Sequence, residues 1–261
     1  MELPIYQVDA FASRVFTGNP AAICPLETWL PDATMQSIAM ENNLAETAYF
    51  VKTAGGYHLR WFTPVNEMDL CGHATLASAF VIFRFLEPEA ALVRFETRSG
   101  ILTVTRQDDL LTLDFPARPP EQVTPCAGLL EALGGQPTEV WTSRDYMIVY
   151  GSEAEILGLK PDMTGLLDID RFAVIVTAPS SRPGVDFVSR FFAPAAGVQE
   201  DPVTGSAHCT LVPYWAKRLG QTRLTARQVS ARGGVLLCEL KGDRVTMAGE
   251  GVLFLRGTIE I

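Results

Sequence analysis

The chain has 261 residues, 48% of them hydrophobic, with a net charge of −9, an isoelectric point near 4.9 and a mean hydropathy of +0.15. That length supports one large or two modest domains with substantial cores, and the acidic balance lacks the cationic footprint that a phosphate backbone requires, so nucleic acid is excluded as a partner. Five scattered cysteines without a Cys-x-x-Cys pair, no basic-then-apolar leader, and a longest weakly polar run (74–83) that stops at Arg84 lead to the expectation of a reduced, cytoplasmic protein with no membrane segment.

In chain order, residues 5–11 read as a strand, Thr17-Gly18-Asn19-Pro20 as a turn and 21–24 as a second strand. Asp32 is placed as the N-cap of a helix reaching about residue 40. Residues 44–51 have strand composition, and a period of two puts Glu46 on one face with Ala48 and Phe50, opposite Thr47, Tyr49 and Val51. Gly55-Gly56 turns the chain into a strand at 57–63, which Pro64 ends. A loop with Glu67 and Asp69 then leads to Leu70-Cys71-Gly72-His73-Ala74-Thr75, the head of a helix with almost no polar face, of the kind that is buried all round. Three short strands follow at 93–97, 101–106 and 110–115.

Pro116-Ala117-Arg118-Pro119-Pro120 reads as a stiff linker between halves at 1–117 and 118–261, the last strand being able to pack back on the first half. Beyond it come a helix at 127–133, strands at 140–142 and 146–150, a short helix capped by Ser152, and strands at 172–177 and 186–192. A second small-residue helix runs to about residue 219 and is stopped by Gly220; strands at 228–231, 235–240, 244–247 and 252–261 finish the chain. Mixed strands with few helices point to α+β architecture.

Trp61-Phe62-Thr63-Pro64 recurs as Phe191-Phe192-Ala193-Pro194 at an offset of 130 residues, and Gly72 recurs as Gly205 at an offset of 133. Strand, Pro, loop, Gly and helix used twice is the imprint of an internal duplication. Pseudo-symmetric pairing of the halves predicts two helix starts converging on one cleft, where free N–H groups and the positive dipole end suit a carboxylate or phosphate.

Several residues here can carry chemistry. Glu46 is either a solvated strand-edge carboxylate or one desolvated by Ala48 and Phe50, as a general base that returns its proton requires. Asp201 is either an N-cap with Pro202 in the first turn, or a loop residue facing the cleft if the loop extends to Thr204. His73 reads as a core histidine or as a hydrogen-bonding partner for a ligand at the helix start. Cys71 is by default a small buried hydrophobe, and alternatively a thiol activated by the helix N-terminus. His58, His73 and His208 have no metal-ligand spacing, and no phosphate-binding glycine loop occurs, so neither a metal nor a nucleotide cofactor is expected.

Taken together, Asp9-Ala10-Phe11, Phe16-Thr17-Gly18-Asn19-Pro20-Ala21, Leu44-Ala45-Glu46-Thr47-Ala48, Arg60-Trp61-Phe62-Thr63-Pro64, Cys71-Gly72-His73-Ala74-Thr75 and Glu200-Asp201-Pro202-Val203-Thr204-Gly205-Ser206-Ala207 resemble the PhzF-like phenazine-biosynthesis isomerases of the diaminopimelate-epimerase superfamily. The resemblance implies two pseudo-symmetric halves, each a curved mixed sheet or barrel wrapped around a central helix, commonly in a homodimer. It also implies cofactor-free proton transfer on a small carboxylated substrate, the type reaction being isomerisation of a dihydro-hydroxyanthranilate. On this chain Glu46 would shuttle the proton, His73 and Asp201 would orient the substrate, and backbone around Gly72-His73 and Gly205-Ser206 would hold its carboxylate. The family commonly has Ser before the catalytic Glu, where this chain has Ala45, which removes a possible hydrogen bond. Two rivals stand beside this expectation: an amino- or hydroxy-acid epimerase using Cys71 and Glu46 on opposite faces, and a small-carboxylate binding protein without turnover.

Overall fold

The computed structural model describes residues 1–261, which divide into two compact units: Met1–Asp114 with Met247–Ile261, and Phe115–Thr246. The first unit contains β1 (Glu2–Ala10), β2 (Asn19–Leu26), α1 (Asp32–Asn42), β3 (Glu46–Thr53), β4 (Gly56–Phe62), β5 (Glu67–Met68), α2 (Gly72–Val81), β6 (Leu92–Thr97), β7 (Gly100–Gln107) and most of β8 (Leu110–Pro116). The second contains β9 (Glu121–Gln122), α3 (Leu129–Leu133), β10 (Glu139–Thr142), β11 (Tyr146–Val149), α4 (Glu153–Gly158), β12 (Val174–Pro179), β13 (Phe187–Phe192), α5 (Gly205–Leu219), β14 (Arg223–Gln228) and β15 (Gly234–Lys241). β16 (Arg244–Gly249) spans the boundary, and β17 (Gly251–Glu260) returns to the first unit. No helix is long and apolar enough to cross a membrane.

In the first unit β17 pairs antiparallel with β1 and β1 with β2; then β2/β3 are parallel, β3/β4 antiparallel, β4/β6 parallel and β6/β7 antiparallel. The second unit repeats this grammar. There β9/β10 and β10/β11 are antiparallel, β11/β12 parallel, β12/β13 antiparallel, β13/β14 parallel and β14/β15 antiparallel. The internal duplication read from Pro64/Pro194 and Gly72/Gly205 is therefore a duplication of strand order and direction as well.

α2 packs against β1, β2, β3, β7 and β17. Strands so far apart in the pairing order can touch one helix only if the sheet curls around it. Nine of its ten residues are buried, as an all-apolar helix demands. α1 lies on the other face of the sheet, packing Met35, Ile38 and Ala39 on Cys24, Tyr49 and Phe62. α5 plays the part of α2 in the second unit: Trp215 stacks on Phe187 of β13 and donates to Thr177 of β12, and Tyr214 donates to Glu139 of β10.

A further pair of equivalent side chains ties each unit's pre-helix loop to its own sheet. Arg60 donates from Nε and Nη2 to the two oxygens of Glu67 at 2.7 and 2.8 Å. Arg190, 130 residues on, does the same to Glu200 at 2.7 and 2.9 Å. Bidentate geometry fixes direction as well as distance.

Two local expectations change. Asp32 does not cap α1: Pro31 occupies the N-cap position and Asp32 is the first helical residue, its carboxylate accepting from Arg60 at 2.9 Å. β14 lies earlier than the predicted 228–231, because Leu224, Ala226 and Gln228 form an alternating buried face that pairs with β13 and β15. Ser152 does cap α4, accepting from Glu155 N.

The turn into β2 depends on Gly18. Its φ is +68°, and a Cβ there would stand 2.2 Å from the carbonyl oxygen of Ala10. Gly18→Ala is expected to destabilise the protein by more than about 2 kcal/mol, read as a lowered urea midpoint at unchanged m-value.

Candidate active site

In the first unit the period-two reading of β3 holds. Thr47 accepts from Asn42 of α1, and Tyr49 and Val51 belong to the α1 cluster. Glu46 therefore faces the other way, toward α2. There Oε2 of Glu46 lies 3.0 Å from Nε2 of His73, with the two side chains 12% and 4% exposed. The two atoms are close but not aligned as a hydrogen bond, and neither has another partner. Buried polar atoms left so are rare.

Behind the imidazole, Nδ1 of His73 lies 3.0 Å from Nδ2 of Asn19 and 3.5 Å from Sγ of Cys71. Burial alone would drive the proton off His73. The Cys71 sulfur and the Glu46 carboxylate outweigh it and hold the ring well above its ordinary value. Burial, with the Glu46 charge adding to it, pushes the Cys71 thiol up to about 11.

The head of α2 is open. Cys71 takes the N-cap position with extended backbone and no side-chain cap bond, and its carbonyl accepts from Thr75 N at 3.2 Å. The N–H groups of Gly72, His73 and Ala74 have no intrahelical acceptor. Glu46, Cys71 and His73 have metal-ligand chemistry, with donor atoms within 4.8 Å of one another. However, the imidazole stands between the other two, Nδ1 toward sulfur and Nε2 toward carboxylate, so one ion at bonding distances of about 2.0–2.3 Å cannot use all three in this arrangement.

In the second unit the loop extends to Thr204, the N-cap of α5, which again has no side-chain cap bond. Asp201 is thus a loop residue; its Oδ2 accepts from Thr204 Oγ1, and its N donates to Phe191 O at 3.0 Å. Fully buried Gln228 locks this head: Oε1 accepts from Thr204 N at 2.8 Å, while Nε2 donates to Asp201 O at 2.6 Å and to Thr204 Oγ1 at 3.1 Å. Gly205 and Ser206 begin the helix.

The structure thus brings Glu46, His73 and Gly72 together in one unit, and Asp201, Gly205 and Ser206 together in the other. Asn19 and Gln228 were read from sequence only as a turn residue and a strand start. Their role depends on partners 54 and 24 residues away, for which local pattern carries no signal.

The duplication fixes equivalences. Thr47 pairs with Phe62 as Val174 pairs with Phe192, so the second unit's counterpart of Glu46 is Ala173. Cys71 and His73 correspond to Thr204 and Ser206. The acid–base groups occur once.

His208, one turn into α5, is fully buried, and its Nδ1–H donates to Thr204 O at 2.8 Å. Burial pushes it down to about 4. Its folded value lies below the unfolded one, so it costs stability as pH falls from about 6.5 to about 4, by about 3 kcal/mol in total. His73 has the opposite sign: its contribution is complete below 6.5 and fades as pH rises through its raised value. His208→Gln, which keeps an N–H donor, should flatten the loss of urea stability over pH 6.5–4; an unchanged slope would place the acid sensitivity elsewhere.

A family model for phenazine biosynthesis-like proteins matches residues 8–257. An uncharacterized isomerase of Pseudomonas aeruginosa is 53% identical over 264 residues, covering 100% of both chains. The crystal structure of a PhzF-family phenazine biosynthesis protein from Enterococcus faecalis aligns with a TM-score of 0.96 at 48% identity, again over 100% of each chain. A hydroxyproline epimerase from Agrobacterium vitis shares the fold, with a TM-score of 0.64 at 11% identity over 99% of this chain and 92% of that one.

Proposed function

This chain belongs to the phenazine biosynthesis-like (PhzF) family, a relative of which is named an isomerase, and from that premise we propose that it is a cofactor-independent isomerase moving a proton within a small carboxylated substrate. Glu46 takes a proton from a carbon conjugated to the carboxylate; the C–H electron pair enters the conjugated system. Glu46, whose acquired proton can exchange with solvent before it is returned, then protonates another carbon on the face it occupies. No electrons are gained or lost overall. General-base catalysis of this kind supplies about 10²–10⁴-fold.

Nε2 of His73, close to Oε2 of Glu46 but not bonded to it, donates to a polar group of the substrate, and a carboxylate oxygen of Glu46 carries the proton. The free amides at Gly72 and His73 receive the substrate carboxylate, where negative charge grows on deprotonation; fixed donors stabilise it more than reorienting water does. A homodimer in the cytoplasm is the expected setting.

The observation that carries this reading is the incomplete contact between Glu46 Oε2 and His73 Nε2, two buried atoms with no other partner. Against the epimerase alternative, Cys71 lies behind His73, its thiol pushed up by burial, and the equivalents of Glu46 and Cys71 in the second unit are Ala173 and Thr204. A two-base mechanism needs a second base on the opposite face.

The test is incubation in D₂O with a panel of unsaturated and α-amino carboxylic acids, read by mass. Deuterium should enter one substrate with the parent protein, fall by at least about 10²-fold in Glu46→Gln, and persist in Cys71→Ala. Loss in Cys71→Ala would favour the epimerase. Thermal stabilisation by an acid with no exchange into it would favour a binding protein.

A further inference from the structure

Asn19 opens β2 directly after the constrained Gly18, and its backbone is paired with Ala10 of β1. The side chain is fully buried and reaches α2 from the side opposite Glu46. We propose that Asn19 is a positioning residue that sets the protonation pattern of His73: its Nδ2–H donates to Nδ1, so the neutral ring carries its single proton on Nε2, facing Glu46.

An amide donor and an Nδ1–H cannot share one 3.0 Å contact, so with Asn19 oriented this way Nδ1 must hold a lone pair. The alternative tautomer, with Nδ1–H toward Cys71, would turn the Nε2 lone pair against the carboxylate of Glu46. Two acceptors would then face each other where the proton is to be handled. The titratable groups facing the ring are Glu46 on β3 and Cys71 at the head of its own helix. Glu46 draws a second proton onto the imidazole, whereas the Asn19 amide opposes it, since the doubly protonated ring has a donor at Nδ1 and the amide must turn over to accept from it. Asn19 thus keeps the Nε2 proton of the neutral ring facing Glu46, and opposes without cancelling the upward pull of Glu46 on the ring. This deepens the acid–base reading of the site and rests on it for its catalytic meaning, but the tautomer itself can be measured without a substrate.

The experiment is ¹⁵N NMR of imidazole-labelled protein over a pH series, with His58, His73 and His208 distinguished by a His73→Gln variant. In the parent, at pH above the His73 titration, Nε2 should show a protonated signature and Nδ1 a lone-pair signature. Asn19→Asp, nearly isosteric, places a carboxylate at Nδ1 and should raise the His73 titration by roughly one pH unit or more. Asn19→Leu removes the donor and should leave a mixture of tautomers. Thermal melts and the ¹⁵N signals of His58 and His208 report whether each variant keeps its fold; should Asn19→Leu fail to fold, Asn19→Asp decides the matter alone. An Nδ1–H tautomer in the parent, or an unshifted His73 titration in folded Asn19→Asp, overturns the proposal. In D₂O exchange, the alkaline limb of the pH profile should move with the His73 titration in Asn19→Asp at little change in KM. If no acid exchanges with the parent protein, the isomerase reading fails while the NMR result still decides the role of Asn19.

Discussion

A helix that is apolar on every side can be buried completely except at its ends, where the backbone itself is polar. α2 is such a helix, enclosed by a sheet that curls from β17 round to β7. Its first-turn amides must meet something, and no side chain of the chain caps them. The candidate site is the outcome of that constraint: Cys71, Gly72 and His73 stand at this uncapped head, and β3 brings Glu46 to the same point. Packing and electrostatics are here one requirement seen from two sides.

The two units share a skeleton and differ in chemistry. Both carry an uncapped helix head, a bidentate arginine–glutamate pair behind the preceding loop, and a buried amide side chain from a strand end: Asn19 in one, Gln228 in the other. The amides do different work. Asn19 addresses a titratable ring, whereas Gln228 ties up backbone and hydroxyl at Thr204. With Ala173, Thr204 and Ser206 at the positions of Glu46, Cys71 and His73, the second unit has no counterpart of the carboxylate–imidazole contact.

Sequence revealed the elements that local chemistry punctuates. Pro64 and Pro194, Gly72 and Gly205 mark the ends of strands and the heads of helices, so the duplication and the α+β class could be read directly. The face of Glu46 followed from the period of two along β3. What was hidden depends on distant partners. β14 is Arg-Leu-Thr-Ala-Arg-Gln, with modest strand propensity, and its pairing with β13 decides its limits. Asp32 looked like a helix cap because its competition for Arg60 is invisible locally. Asn19 looked like turn chemistry because His73 is 54 residues away.

β17 pairs along the whole of β1, from Glu2 opposite Glu260 to Ala10 opposite Gly251. Residues 251–260 emerge from the ribosome only after all of Phe115–Thr246, the body of the second unit. The unit begun first is therefore completed second. During synthesis β1 waits with one edge unpaired, and the wall around α2 stays open on that side until the late strand arrives. A nascent chain stalled before residue 251 would hold Glu46 and His73 in an unfinished enclosure.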